Sequence, residues 1–276
     1  MARTPGERDL TEHFAERYRL GQAPIMLEVE RAFCGCDYGG TSWTTRDEAE
    51  RLGPLLELGP GRRLLDVGAG SGWPGLYLAR LTDCDVTLVD VPLEGIRTAA
   101  GRAAAESLAG ACWAAVADGA RLPFRRGRFD AVSHSDLLCC LQAKHSVLKD
   151  CRRVVRDGAK MAFTVISIAS DLSSAGYQRA VKFGPPFVES ALEYTTLLDQ
   201  SGWQITDYVD VTSEYAATVR RLLAAWEERE DALAELRGAA EFSAMVVRRR
   251  GGLAAIEDGL LKRELFVATT DTVGEP

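Results

Sequence analysis

The chain has 276 residues, of which 46% are hydrophobic, so it can bury the core of one large α/β domain with additions or of two small domains. Its formal net charge of −7 argues against a broad phosphate-binding surface, and no nucleic-acid partner is expected. The polar N-terminus and the lack of a long apolar run predict no secretory leader, no membrane helix and a cytoplasmic location.

The N-terminal part of the chain predicts helices. Residues 8–33 have the apolar spacing of one or two amphipathic helices, broken near Gly21 and Pro24. A glycine-rich stretch then leads to Thr45, which has the spacing of a helix capping box with Glu48.

The seven cysteines are odd in number and scattered along the chain, which predicts reduced thiols. Cys34 and Cys36 lack a second ligand pair at zinc spacing, so we expect ordinary thiols and no metal.

Residues 62–170 alternate between short apolar runs and helical patterns. Val147 to Val155 have helical spacing, and Gly158 is predicted to cap that helix. Repeated units of this kind predict a Rossmann-like α/β fold, a parallel sheet with helices on both faces. The predicted strands are Leu64–Val67, Val86–Val89, Cys112–Val116, Phe129–Ser133 and Met161–Ile168.

The remainder predicts further helices and two more strands. A long helical insertion, about 213–262 and interrupted at Gly251-Gly252, separates these strands and is expected to roof the ligand site. We therefore expect residues 1–45 to form a helical lid and 46–276 to form the main domain. The other predicted elements are a helix over about Val188–Gln200 and strands at Trp203–Val211 and Leu265–Thr269.

A glycine-rich loop follows the first predicted strand, and Asp66 stands just before its first glycine. A dinucleotide fingerprint places glycines directly after the strand, because the pyrophosphate binds at the helix N-terminus. A carboxylate at position 66 would repel a pyrophosphate and could hold an ammonium group. The loop therefore suggests an amino-acid-like cationic cofactor, and S-adenosylmethionine (SAM) fits.

Two further carboxylates follow neighbouring strands. Asp90 ends the second strand, where an acid can accept hydrogen bonds from both hydroxyls of a ribose. Asp118 follows the third strand and could accept a hydrogen bond from an adenine amino group. In an open parallel sheet these strand ends meet at one edge, so the three acids predict one ligand site.

The segment resembles the class I SAM-dependent methyltransferases over roughly residues 45–210. The matching residues are Leu-Asp-Val-Gly-Ala-Gly-Ser-Gly (65–72), Val-Asp (89–90), Ala-Asp-Gly-Ala-Arg-Leu-Pro-Phe (117–124), Phe-Asp-Ala-Val (129–132) and Val-Val-Arg-Asp-Gly (154–158). The resemblance implies a seven-stranded sheet whose last strand is antiparallel. It also implies SAM as cofactor and S-adenosylhomocysteine (SAH) as product, with no metal, and a cofactor site at Tyr38, Asp66, Gly68, Ala69, Gly70, Gly72, Asp90, Val91, Asp118, Gly119 and Ser133.

The stretch after the fourth strand is similar to one in phosphoethanolamine and sarcosine/dimethylglycine methyltransferases. There an aspartate is followed four residues later by a histidine. Asp136 matches the aspartate, but Cys140 occupies the histidine position. His134 and Asp136 are the candidate catalytic bases, and the candidate substrate contacts are Tyr18, Cys140, Tyr177 and Tyr194.

These observations predict a methyltransferase that acts on an O or N atom of a small molecule, as a monomer or homodimer and without a membrane partner. A protein or RNA methyltransferase and a SAM-binding protein that does not methylate stay open as alternatives. A nicotinamide dehydrogenase is disfavoured by Asp66.

Overall fold

The computed structural model describes residues 5–271; residues 1–4 of the predicted lid and residues 272–276 lie outside the described part. A seven-stranded sheet with the order β3-β2-β1-β4-β5-β7-β6 forms the centre. The last strand pairs antiparallel with both of its neighbours, as the resemblance implies. The strands are β1 Arg63–Val67, β2 Asp85–Asp90, β3 Cys112–Val116, β4 Phe129–Ser135, β5 Val155–Ile168, β6 Gln204–Asp210 and β7 Leu261–Thr269.

Helices surround this sheet, and within residues 5–271 none combines the length and apolar character that crossing a membrane requires. The predicted capping box is present: Glu48 N donates to Thr45 Oγ1 at 3.2 Å, and Thr45 N donates to Glu48 Oε2 at 2.7 Å. The helices are α1 Pro5–Gly21, α2 Pro24–Cys34, α3 Arg46–Leu55, α4 Gly75–Thr82, α5 Leu93–Ala105, α6 Lys144–Val154, α7 Ser174–Phe183, α8 Tyr194–Gln200, α9 Thr212–Glu227, α10 Glu230–Arg237 and α11 Ala239–Glu257.

Each face of the sheet carries its own apolar core. Successive side chains of a strand point to opposite faces, so Leu64 and Leu65 belong to different clusters. Leu64 packs in the cluster that includes Leu76 of α4, and Leu65 packs in the one that includes Val147 of α6. The sheet is therefore covered on both sides, as repeated strand–helix units predict.

A third cluster joins the two helical additions. Val29 of α2 packs with Leu222 and Trp226 of α9 and with Phe242 of α11. Helices α9, α10 and α11 lie between β6 and β7, where the sequence places an insertion. The N-terminal and inserted helices thus form one layer, while the division into a 1–45 lid and a 46–276 domain stays a prediction.

The structure differs from the sequence predictions at several places, among them the bounds of β4, β5 and α8. Gly158, with φ 71°, does not cap a helix but lies within β5, where the register against β4 shifts. Helix α11 runs through Gly251-Gly252 without a break, and Phe183 packs against Gly251 where a Cβ atom would stand. Helix α7 was not predicted. The sulfurs of Cys34 and Cys36 are bonded to each other, where reduced thiols were expected.

Candidate active site

A cavity of about 770 Å³ lies at the carboxyl ends of β1 to β4. This edge is where ligands bind in open α/β sheets, and the volume suits a ligand of drug size or larger. The helical additions line it too, with Tyr18 on α1, Tyr215 on α9 and Arg249 on α11. The cavity therefore lies between the sheet edge and the helical layer.

Asp66 is the buried carboxylate of this cavity, with 1% of its surface exposed. Its Oδ1 accepts a hydrogen bond from Ser133 Oγ at 2.8 Å, because the two residues are paired in β1 and β4. Its Oδ2 accepts one from the Gly75 backbone N–H at 3.2 Å. Burial raises the pKa of Asp66 to about 7 against the lowering effect of these bonds, so a nearby cation would favour its ionised form.

The glycine loop after β1 packs closely against side chains of the cavity wall. Gly68 and Gly70 have φ angles of 75° and 53°, in the left-handed region that favours glycine. A Cβ atom on Gly68 would lie 2.8 Å from Leu137 Cδ1, and one on Gly70 would lie 2.9 Å from the Tyr18 hydroxyl. Ala69 lines the cavity between them.

Asp90 connects three parts of the site. Its Oδ2 accepts a hydrogen bond from Gly70 N at 2.8 Å, and its Oδ1 accepts one from Val91 N at 2.6 Å. The Tyr18 hydroxyl donates to Oδ2 at 3.2 Å. The N-terminal helix α1 thereby reaches the carboxylate predicted to bind ribose.

Asp118 and Gly119 line the cavity after β3. Asp118 Oδ1 accepts a hydrogen bond from Ala120 N at 2.9 Å, which holds the carboxylate against the turn. The structure thus brings Asp66, Asp90 and Asp118 to one cavity, as their strand-end positions predict.

Five other predicted contacts do not line this cavity. Tyr38 packs against Trp73, with ring centroids 5.2 Å apart, although Gly40 to Trp43 of the same loop line the cavity. Tyr177 is exposed and donates to Glu189 at 2.7 Å. The residues placed outside the lining are Tyr38, Gly72, Ser133, Tyr177 and Tyr194, of which Ser133 still contacts Asp66.

His134 also lies outside the cavity, in the core beside β5. Its ring stacks on Phe163, the residue it pairs with in β5, at a centroid distance of 4.5 Å. Neither ring nitrogen has a hydrogen-bond partner, and burial lowers the pKa of His134 to about 3. This placement corrects the prediction: His134 cannot reach an acceptor in the cavity as a general base.

Asp136 does line the cavity, but its carboxylate is already paired. Arg263 of β7, which is completely buried, donates from Nε to Asp136 Oδ1 at 3.0 Å. The same guanidinium donates to Glu48 Oε1 at 2.7 Å. Both carboxylate oxygens of Asp136 thus accept hydrogen bonds from Arg263, and this engagement disfavours a role in accepting a proton from an acceptor. Cys140 and Tyr18, the other predicted substrate contacts, line the cavity.

Sequence reasoning missed the cavity residues Arg17 and Arg249, because they come from distant helices of the two additions. Arg17 directly precedes Tyr18 in α1, and Arg249 is the middle residue of three consecutive arginines in α11. The rings of Trp43 and Tyr215 contact each other in the cavity wall, with their centroids 5.2 Å apart. Only the positions of the additions relative to the sheet bring these four residues together.

Comparisons with known proteins agree with this geometry. Residues 65–163 match the family model described as a methyltransferase domain. The chain is similar to the methyltransferase GfsG of Streptomyces halstedii, with 25% identity over 64% of this chain and 66% of that protein. It is also similar to the 27-O-demethylrifamycin SV methyltransferase of Amycolatopsis mediterranei (strain S699), with 29% identity over 59% of this chain and 61% of that protein. These matches span less than two thirds of the relatives' length.

Solved structures share the fold over nearly the whole chain. The [4+2]-cyclase SpnF has a TM-score of 0.75 and 18% identity, covering 99% of this chain and 98% of its own. A Haemonchus contortus phosphoethanolamine N-methyltransferase 2 in complex with SAM has a TM-score of 0.77 and 18% identity, covering 95% of this chain and 60% of its own. Residues 65–163 thus match a methyltransferase domain, and the sheet order and the strand-end acids agree with the resemblance to the class I SAM-dependent methyltransferases.

Proposed function

We propose that the protein transfers a methyl group from SAM to an oxygen or nitrogen atom of a small molecule. The observation that carries this proposal is the shared cavity: the strand-end acids and the residues of α1, α9 and α11 line the same space. Helices over the sheet edge favour a small acceptor over a protein or RNA segment, which needs an open site. The O-methyltransferase cnsE of Penicillium expansum, 29% identical over 60% of this chain, supports small-molecule methylation.

The residues present fit the cofactor. Positive φ angles at Gly68 and Gly70 let the backbone approach a ligand closely. We assign Asp66 to the amino end of the methionine part, Asp90 to the ribose hydroxyls and Asp118 to the adenine. When bound, SAM supplies a methyl group that its sulfonium has already activated.

The contribution of the chain itself is then alignment and exclusion of water. Holding two reactants in line converts a bimolecular reaction into an effectively unimolecular one. Trp43 and Tyr215 lie in the cavity wall and supply apolar surface for the acceptor. The ion pair between Arg263 and Asp136 fixes the segment after β4, beside Cys140.

The test is a screen of small phenols, carboxylic acids and amines with the purified protein and SAM, scored by SAH release. We expect at least one acceptor class to give turnover that Asp90→Ala abolishes. SAH release independent of Asp90 would contradict the assigned site.

A second candidate is a SAM-binding protein that does not transfer the methyl group. The observation that favours it is the state of the predicted bases: His134 lies in the core, Asp136 is ion-paired, and Cys140 replaces the histidine. The [4+2]-cyclase SpnF shows that the same fold is found in a cyclase. Tight SAM binding with no SAH release from any acceptor would favour this candidate. The cytoplasmic location and the monomeric or dimeric state stay predictions.

A further inference from the structure

We propose that Arg17 and Arg249 bind an anionic group of the acceptor, a carboxylate or a phosphate, inside the shared cavity. The inference rests on the proposed function, because it names a property of the molecule to be methylated. It adds a binding subsite made by the two helical additions to the cofactor site made by the sheet.

The two arginines reach the cavity from opposite additions. Arg17 lies on α1 and Arg249 on α11, and both are half-buried residues that line the cavity. Burial lowers the pKa of Arg17 to about 10, and the charge of Arg249 is the next contribution. Both positive charges thus face the same cavity and disfavour each other, and an anion bound there would offset this repulsion.

Neither arginine has an acidic partner within residues 5–271. Arg249 Nε is buried without a hydrogen-bond partner. Arg263, the completely buried arginine of β7, is by contrast neutralised by Glu48 and Asp136. Glu7 also lines the cavity, but it precedes Arg17 by ten residues, about 15 Å along α1. A half-buried cation without a counter-charge still loses part of its hydration, so these two positions are better explained by a charged ligand than by stability.

Aromatic residues hold Arg249 in a suitable orientation. Its guanidinium carbon lies 4.5 Å from the centroid of the Trp43 ring, and Trp43 contacts Tyr215. Stacking covers one face of the guanidinium and leaves its in-plane N–H groups for hydrogen bonding. A planar fork of this kind matches carboxylate and phosphate oxygens in a bidentate manner.

The electrostatic surroundings point to the same chemistry. The pKa of His13, on the cavity-facing side of α1, is lowered by burial and then by Arg17. A positive potential of this kind attracts an oxyanion and repels an acceptor whose only charge is an ammonium group. The strand-end acids, in turn, provide the negative surroundings that a cationic cofactor requires.

The experiment titrates three probes into the full chain saturated with SAH: 2-naphthoate, 2-naphthyl phosphate and the neutral 2-naphthamide. We expect at least one of the two anions to bind about tenfold more tightly than the amide. The anion with the higher affinity then shows whether the subsite prefers a carboxylate or a phosphate. Arg17→Gln and Arg249→Gln should each remove most of the preference for anions over the amide while SAH affinity is unchanged. Arg249→Lys keeps the positive charge but not the planar guanidinium, so this variant should keep part of the preference for the anions.

Arg250→Gln is the matched control, because Arg250 is exposed beside Arg249 and does not line the cavity. It should bind all three probes as the parent protein does. Equal affinity for anions and amide, no binding of any probe to the SAH-loaded protein, or a preference retained in both glutamine variants would overturn the inference. Failure to bind SAH counts against the proposed function instead, so the two results are separable.

Discussion

Arg263 donates hydrogen bonds to both carboxylate oxygens of Asp136, from the last strand of the sheet to the segment that follows the fourth. The same guanidinium binds Glu48 on α3, which the capping box ties to Thr45. One buried cation therefore connects the cavity wall after β4, the start of α3 and β7. Its role is to position these segments, and no contact with a reacting group is required.

We expect Arg263→Gln to lower the free energy of unfolding by about 3–5 kcal/mol, because Glu48 and Asp136 would remain buried without their counter-charge. Urea denaturation followed by circular dichroism measures the change. Lys262→Gln, at the neighbouring position of β7, is the control and should cost under about 0.5 kcal/mol. A loss of similar size in both variants would mean that the ion pair contributes little.

Asp90→Ala should weaken SAM binding by about 2–4 kcal/mol, since it removes charge-assisted hydrogen bonds to a ligand. Calorimetric titration measures the affinity. Asp85→Ala is the control, because Asp85 begins the same strand at the opposite end and accepts a hydrogen bond from Ala111 N. Unchanged affinity in Asp90→Ala would exclude Asp90 from the ribose role.

The raised pKa of Asp66, caused mainly by burial, predicts pH-dependent cofactor binding. Its ionised form is the one that attracts an ammonium group, so the affinity for SAM should rise about tenfold between pH 6 and pH 8. The Asp66→Asn variant should bind SAM more weakly than the parent protein at pH 8. Its affinity for SAM should not rise between pH 6 and pH 8. An identical pH profile in the variant would show that another group titrates.

The raised pKa of Asp66 also predicts how the stability of the protein without cofactor depends on pH. A pKa of about 7 in the folded state and 3.8 in the unfolded state means that the folded state binds more protons between these values. Stability should therefore fall as pH rises from about 4 to 7, and Asp66→Asn should remove this contribution. Denaturation midpoints across that pH range, in parent and variant, provide the measurement.

His134 predicts the opposite pH dependence. Burial depresses its pKa to about 3 from 6.5, so the unfolded state binds more protons between those values and stability is lost as pH falls below 6.5. His134→Leu removes the titrating group and its two unpaired ring nitrogens. We expect the variant to gain about 2 kcal/mol relative to the parent between pH 7 and pH 5. A difference that does not change with pH would contradict the burial of a neutral imidazole.

The central sheet and the strand-end acids could be predicted from the sequence because they depend on local patterns. Strand β3 begins and ends where its apolar run does, and Asp66, Asp90 and Asp118 reach one cavity because parallel strands end at one edge. Gly158, which lies within β5, could not be assigned from the sequence, since a positive φ suits both a helix cap and a strand irregularity.

The positions of the candidate catalytic side chains were harder to predict, because strand alternation decides which residue reaches the cavity. Strand β4 continues to Ser135, two residues beyond its predicted end. Ser133 contacts Asp66 and Ser135 lines the cavity, so His134 between them points to the other face and meets Phe163. Arg17 and Arg249 carry no local signal, because their proximity depends on how α1 and α11 pack.

The most direct test of the account is calorimetric titration of the purified protein with SAM and, separately, with NAD. The buried carboxylate before the glycine loop predicts micromolar binding of SAM and no heat of binding for NAD. Binding of NAD without binding of SAM would contradict the account.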